Sequence, residues 1–396
     1  MSIRVLYSFP NKIGAGRICY TAWEQVKGLC AAGADLIVMP GAVHRPIPGN
    51  PRIQPTLARG KYRIPYKLLG RSAFHLHDWI VARRLEKLAG QIDIVHCWPS
   101  GSLETLRAAK RLGIPTVLER QNAHTRFCYE IVAKESRRLG IPVHPEYTFR
   151  PSVLAREEAE FAASDYLLCP SDFTAQSFLA QGFAPDKLLR HTYGFDETRY
   201  FPEWLLREAK KKFIALFVGV DPARKGLHFA LEAWLHSPAI KDGIFMIAGE
   251  VSPEFKRRFK EDLADPSVVQ LGFRRDVPEL MRKADVLLLP SIEEGFGLVC
   301  VDAIGSGCVP LVSKACTEVC RHMGNSLVHE VGDTSTLRQH ITMLYQNPAL
   351  LASLRNGAIQ SRYGLTWTAA GKKLLEVYSA ARISFLASKT APASLP

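Results

Sequence analysis

No stretch of this sequence offers the roughly 18 or more uninterrupted apolar residues that a membrane-spanning helix needs, so any membrane contact must be peripheral. The first residues lack the apolar core and the small-residue cleavage site of a secretion signal, and Ile3 to Tyr7 reads instead as a strand. The expected location is the cytoplasm, with association at the inner face of the membrane left open. Nine cysteines are scattered without a CxxC pair, which argues against a redox motif and for reduced, mostly buried thiols. Cys316, Cys320 and His322 have no evident fourth ligand, so no metal site is expected. Gly14 and Gly16 follow the first strand, but Cys19 stands where a dinucleotide fingerprint requires its third glycine. NAD chemistry loses its main sequence support there. The segment Asn11 to Arg17 reads as a flexible glycine loop entering a cleft, with Gly16 a candidate ligand contact.

The 396 residues that are present suit two domains of roughly 150 to 200 residues better than one core. A formal charge of +13 asks for an anionic partner, whether nucleotide, phospholipid surface or nucleic acid. No recognised readout module accompanies the charge, so nucleic acid is not expected. A basic stretch with interleaved aromatics, Arg59, Lys61, Tyr62, Arg63, Tyr66, Lys67, Arg71, Phe74, Trp79, Arg83 and Arg84, suits a segment lying on anionic lipid. It reads equally well as a solvated basic helix and loop, because aromatics at helical spacing usually belong to a core.

Alternating strands and amphipathic helices run through both halves, which predicts an α/β fold of two doubly wound domains. Strands are expected at Val5 to Phe9, Leu36 to Met39, Ile92 to His96, Thr116 to Glu119 and Tyr166 to Cys169, with helices at Tyr20 to Ala32 and Leu103 to Leu112. The pattern restarts at Ile214 to Gly219. Helix Leu227 to Leu235, strands Ile244 to Ala248, Val268 to Leu271 and Val286 to Leu289, and a helix from Leu298 to Ile304 follow. The expected division is 1–200, 201–370 and a terminal 371–396 made of a long helix, Trp367 to Leu386, and a frayed tail.

Two strand ends carry the chemistry. Pro290 to Leu298 leads from a strand through Glu293, Glu294, Gly295 and Gly297 into a helix start, where glycines let backbone N–H groups approach an anion and the helix dipole favours it. Glu294 and Asp302 flank this cradle, and a carboxylate accepts well from a vicinal hydroxyl pair. They are alternatively a loop acid and a solvent-facing helix residue. Val218 to Leu227 repeats the plan with Arg224 and Lys225, which can neutralise a diphosphate as a planar fork and a point charge.

These residues together resemble the retaining GT-B glycosyltransferases of group 1, or family 4. Glu294 to Asp302 is similar to that family's Glu-x7-Glu signature, and Lys225-Gly226-Leu227 to its Lys-Gly helix start. Tyr193 to Asp196, Asp93 to His96, Leu271 to Arg274 and Trp367 add to the likeness. The resemblance implies two Rossmann-like domains facing a central cleft and a nucleotide-sugar donor, with no further cofactor. It implies a glycan or lipid-linked acceptor and transfer of a hexose-type sugar with retention, without a metal. Glu294, Lys225 and His124 would be catalytic. Gly16, Arg224, Phe273, Arg274, Gly295, Phe296, Gly297, Leu298 and Asp302 would bind donor, with Asp302 one methylene shorter than the family's Glu and Val220 replacing its common Arg. A nucleotide-sugar-binding protein or an epimerase on the same fold is the alternative.

Overall fold

Ten residues, Arg4–Ile13, extend as an inner strand of the first sheet in a computed structural model that describes residues 3–59, 62–63, 70–203 and 212–390. Lys61, Tyr66 and Lys67 of the basic stretch and the tail after residue 390 lie outside the described residues. Seven strands pair in parallel in the order Arg52–Ile53, Asp35–Val43, Arg4–Ile13, Ile94–Cys97, Thr116–Glu119, Tyr166–Cys169 and Leu188–Arg190. The second sheet is also all parallel, in the order Val268–Gly272, Ile244–Ala248, Ile214–Val218, Val286–Leu289, Val309–Ser313 and Leu327–His329. Its central strands read as apolar runs because helices cover both faces, and Val286–Leu289 is buried throughout.

In both sheets the chain builds outward to one side, returns to the centre, and builds to the other. The reversal in strand order leaves a crevice outside the carboxyl ends of the central strands, where such sheets bind ligands. Gly14 to Arg17 leave the first sheet at that point, and Gly219 to Lys225 with Pro290 to Gly297 leave the second. Strand order alone therefore brings the two motif turns of the C-terminal half side by side.

Two strands of the second sheet, Val309–Ser313 and Leu327–His329, went unread in the sequence. Pro310 inside the first disguises a fully buried strand, and the second is only three residues long. The final helix runs Trp367–Thr390, past the Leu386 end expected from sequence. Leu374, Tyr378 and Ala381 of this helix are buried in the core of the first half, against the helix Ile18–Ala31. The chain thus returns to its first lobe where Phe195 N–H donates to Leu365 O at 3.0 Å. Both crossings lie together at one edge of the cleft.

Candidate active site

The turn after Val286–Leu289 is shaped by close backbone approach. A Cβ on Gly295 would lie 1.5 Å from the carbonyl oxygen of Gln121, so only glycine lets the first lobe's loop cross here. The Gly295 carbonyl in turn accepts from Ser171 Oγ at 2.5 Å and from Thr174 Oγ1 at 2.8 Å, both on the opposite lobe. At the neighbouring turn Gly226 has φ +71°, and a Cβ there would meet the Pro290 carbonyl oxygen at 2.0 Å. That contact presses the Lys225 turn against the Glu294 turn.

Four charged side chains consequently meet at the cleft floor. Lys225 Nζ pairs directly with Glu294 Oε1, which also accepts from Ser291 Oγ at 3.1 Å. Arg224 Nη1 donates to the Glu293 carbonyl at 2.9 Å and to its Oε2 at 3.1 Å, and lies 3.6 Å from Glu294 Oε2. Burial alone would push the Glu294 carboxyl up, but Lys225 and Arg224 hold it below the usual carboxylate range. Arg224 itself rises above its ordinary value against these acids, and it stacks over Tyr147 at 5.3 Å. Glu293 is wholly buried and also accepts from Ala123 N at 3.4 Å, so it ties the two lobes together.

A cavity of about 1000 Å³ opens above this floor between the lobes. Of the residues singled out from sequence, Gly16, Arg224, Lys225, Glu294, Gly295, Phe296, Gly297 and Leu298 all line it. The helix Leu298–Ser306 begins at its wall, where Gly297, Leu298 and Val299 line the cavity and the helix dipole favours an anion. Phe296 is anchored by Tyr193, whose ring centroid lies 5.4 Å away. Tyr193 OH donates to the buried Glu119 at 2.9 Å, which also receives Gln25 Nε2 at 2.9 Å and lies 2.9 Å from His191 Nε2. Burial would raise Glu119, yet His191, His96 and Gln25 bring it down to about 2.

Four expected site residues are placed elsewhere. His124 is buried among Phe161, Phe178 and Phe183, with ring centroids 5.0 to 5.9 Å away, and its Nδ1 caps the helix Thr125–Leu139 by accepting from Arg126 N at 3.3 Å. Burial, with Arg120 and Arg126 beside it, lowers its pKa to about 4. Gln121 and Asn122, three and two residues earlier, face the cleft instead. Phe273 stands 67% exposed away from the cavity, and Arg274 is taken up by Asp276 in an ion pair. Asp302 keeps some surface but does not line the cavity. Its carboxyl is pushed up to about 8 by the protein around it, although a Tyr200 hydrogen bond and the Arg199 charge act the other way.

Residues assigned no catalytic or donor-binding role from sequence complete the opposite wall. Tyr20 OH donates to Glu24 at 2.6 Å and to Asp196 at 3.1 Å, and Lys27 pairs with Glu24 at 3.1 Å. Arg17, Arg45 and Arg199 add three cations to the same cavity. One signal was available, since Glu24 and Gln25 stand beside Thr21 and Gly28 on the buried side of an otherwise ordinary amphipathic helix.

The model of Glycosyltransferase Family 4 matches residues 20–199, and that of Glycosyl transferases group 1 matches residues 212–347. The D-inositol 3-phosphate glycosyltransferase 1 of Catenulispora acidiphila is 28% identical, over 74% of this chain and 73% of its own length. An Escherichia coli UDP-Gal:alpha-D-GlcNAc-diphosphoundecaprenol alpha-1,3-galactosyltransferase is 26% identical over 56% of this chain and 58% of its own. The crystal structure of Anabaena HepE in complex with UDP-glucose superposes with TM-score 0.64 at 16% identity, covering 96% of this chain and all of that one. Two family models that divide the chain as its two sheets do, and a solved structure that spans nearly all of it, agree: the chain belongs to the group 1, family 4 glycosyltransferases and is built on the GT-B fold.

Proposed function

We propose that this enzyme transfers a hexose-type sugar from a nucleoside-diphosphate sugar to a glycan or lipid-linked acceptor, with retention of configuration, in the assembly of a surface polysaccharide or glycolipid. One observation carries the reading. Arg224, Lys225 and the opening of the helix Leu298–Ser306 converge on one cavity wall beside Glu294. Cleaving a glycosyl phosphate places negative charge on the departing diphosphate, and oriented donors stabilise such charge best in a site that excludes water. Two cations and a helix start supply that positive field, which supports transfer without a metal ion.

The ion pair between Lys225 and Glu294 fits a donor that enters by exchange. A diphosphate offers Lys225 a second anion, which frees Glu294 to accept from the sugar's hydroxyls. Attack then comes from the face the diphosphate leaves, so no enzyme nucleophile is assigned. Since HepE is solved with UDP-glucose and a relative uses UDP-Gal, uridine-diphosphate sugars are the first donors to test. Among the described residues no helix is long and apolar enough to cross a membrane. An exposed stripe of His75, Trp79, Arg83 and Lys87 along the helix Ser72–Lys87, with Arg83 over the Trp79 ring at 5.8 Å, supports peripheral contact with anionic lipid.

Calorimetry and thermal unfolding with UDP, GDP, ADP and their sugars test the reading, because a ligand at 100 times its Kd stabilises by about 2.7 kcal/mol. Lys225→Met and Glu294→Gln should each reduce transfer by about 10²- to 10³-fold, the loss typical of one transition-state donor. Full turnover in both folded variants would remove Lys225 and Glu294 from the reaction.

A further inference from the structure

The turn that lines the donor cavity is held from outside its own lobe. In the N-terminal lobe the strand Tyr166–Cys169 runs into the helix Asp172–Leu179, and the first turn of that helix bonds to the C-terminal lobe at three residues. Ser171 Oγ and Thr174 Oγ1 donate to the Gly295 carbonyl at 2.5 and 2.8 Å, and the Asp172 N–H donates to Glu318 Oε2 at 3.1 Å.

The local sequence explains why both hydroxyls are available. Ser171 is the N-cap of the helix, and its Oγ accepts from the Thr174 N–H at 3.1 Å, which leaves its own hydrogen for an acceptor outside the helix. Thr174 Oγ1 stands 3.1 Å from Ser171 Oγ, so the two reach the same carbonyl together. A carbonyl oxygen has two lone pairs, and here each meets one hydroxyl. Both residues are wholly buried, so bulk water does not compete for these bonds.

The Gly295 carbonyl and the Phe296 N–H share one planar trans peptide and point in opposite directions. Fixing the one therefore fixes the other. Gly295, Phe296, Gly297 and Leu298 all line the donor cavity, so the plane of this peptide shapes the wall that meets the donor. Among the described residues no group of the C-terminal lobe donates to this carbonyl. The turn has little slack elsewhere, because the Gln121 carbonyl closes over Gly295 and the Ala123 N–H holds Glu293.

We propose that Ser171 and Thr174 are positioning residues for the transfer reaction: through their two hydroxyls the N-terminal lobe sets the peptide that lines the donor site on the C-terminal lobe. The assignment rests on the donor reading above. It makes donor binding depend on how the lobes meet, because separating them takes both hydroxyls from the carbonyl at once.

Thr174→Val replaces one hydroxyl by a methyl of the same shape, and Ser171→Gly removes the other while leaving the helix a tolerated N-cap residue. UDP, GDP and ADP are titrated by calorimetry into the wild type, the two single variants and the double one, each well below its unfolding midpoint. For whichever nucleotide the wild type binds, Kd should rise about threefold in each single variant and about tenfold in the double one, the scale of one and two hydrogen bonds. Thr174→Ser keeps the hydroxyl and should bind as the wild type does. A merely structural prop would lower the midpoint and leave Kd alone. The peptide itself is read by NMR. Labelling glycine carbonyls with 13C and phenylalanine amides with 15N marks the four Gly–Phe pairs of the chain, 182–183, 194–195, 272–273 and 295–296, and Phe296→Tyr identifies the last by its loss. Its carbonyl signal should move upfield in Thr174→Val and Ser171→Gly and return in Thr174→Ser. Unchanged Kd in the folded variants overturns the positioning role, as does a carbonyl signal that stays where it was, and the single variants decide the matter should the double one not fold. A wild type that binds none of the three nucleotides strikes the donor reading instead, and the assignment falls with it.

Discussion

Lys225 and Glu294 neutralise each other at the floor of the cleft, and Arg224 spans Glu293 and Glu294 beside them. Removing one partner of a buried pair leaves the other charge uncompensated, so conservative, isosteric changes report on chemistry more cleanly than alanine does. His124 presents the opposite case. Its ring sits in an aromatic box, its Nδ1 serves a helix start, and the side chain is not among those lining the cleft. His124→Asn keeps a side-chain acceptor at the N-cap and gives up the edge-to-face contacts, which are worth about 0.5–1.5 kcal/mol apiece. The expected outcome is a lower urea midpoint with kcat unchanged within assay error. A loss of about 10²-fold or more in kcat, the scale of a general acid or base, would return His124 to the reacting centre.

Elements whose signals are local in sequence were legible. Strands Thr116–Glu119, Tyr166–Cys169 and Val286–Leu289 and helices Leu103–Leu112 and Leu227–Leu235 begin and end where their apolar patterns do. The two motif turns were legible for the same reason, since strand end, glycine and helix start are contiguous. What depends on long-range packing was not. The step from Asn122 to His124 turns a side chain from cleft to core, and sequence spacing does not reveal which way it goes. Tyr20 and Glu24 become site residues only because the linker carrying Asp196 folds against their helix. The last helix looked like an appendage, yet it docks on Ile18–Ala31 through backbone contact. A Cβ on Gly371 would fall 2.2 Å from the Gly28 carbonyl carbon, and one on Gly28 would fall 2.4 Å from the Trp367 carbonyl oxygen. Backbone cannot yield as a side chain does, so Gly371→Leu should separate the helices despite leucine's better helix propensity of about 1 kcal/mol. Overpacking of this kind costs about 1–3 kcal/mol, read as a fall in the unfolding midpoint. A Gly371→Leu protein as stable as wild type would mean that the two helices do not meet at these glycines.

At the scale of the whole molecule, opposing sets of buried groups set the response to pH. Burial holds His77 and His96 down to about 3, and His124, His329 and His340 down to about 4, against roughly 6.5 in an unfolded chain. Between those values the unfolded state binds protons that the folded state refuses, so these five histidines lower stability as pH falls below about 6.5. Two acids work in the other direction. Burial raises Glu160 to about 7 and Asp302 to about 8, so the folded state binds protons there that the unfolded state releases above about 4, and acidification from pH 8 stabilises it. The unfolded histidines still hold part of their protons above pH 6.5, so the two sets balance near pH 7; above it the acids dominate, and below it the five histidines outweigh them. Each net proton is worth about 1.4 kcal/mol per pH unit. Further acidification protonates Glu119, held at about 2 despite burial by His191, His96 and Gln25, and Glu135, held at about 2 by His228 and Arg138, and the stability they contribute is lost as pH drops from about 4.5 toward 2. Glu135 matters at this scale because it lies 2.7 Å from His228 Nε2 across the interface of the lobes. Stability should therefore peak near pH 7, decline gently toward pH 8 and fall steeply toward pH 5. Urea midpoints measured at fixed ionic strength at pH 8, 7, 6 and 5 decide the matter, and a midpoint at pH 5 equal to or above that at pH 7 would show that the buried histidines are not held neutral by the fold.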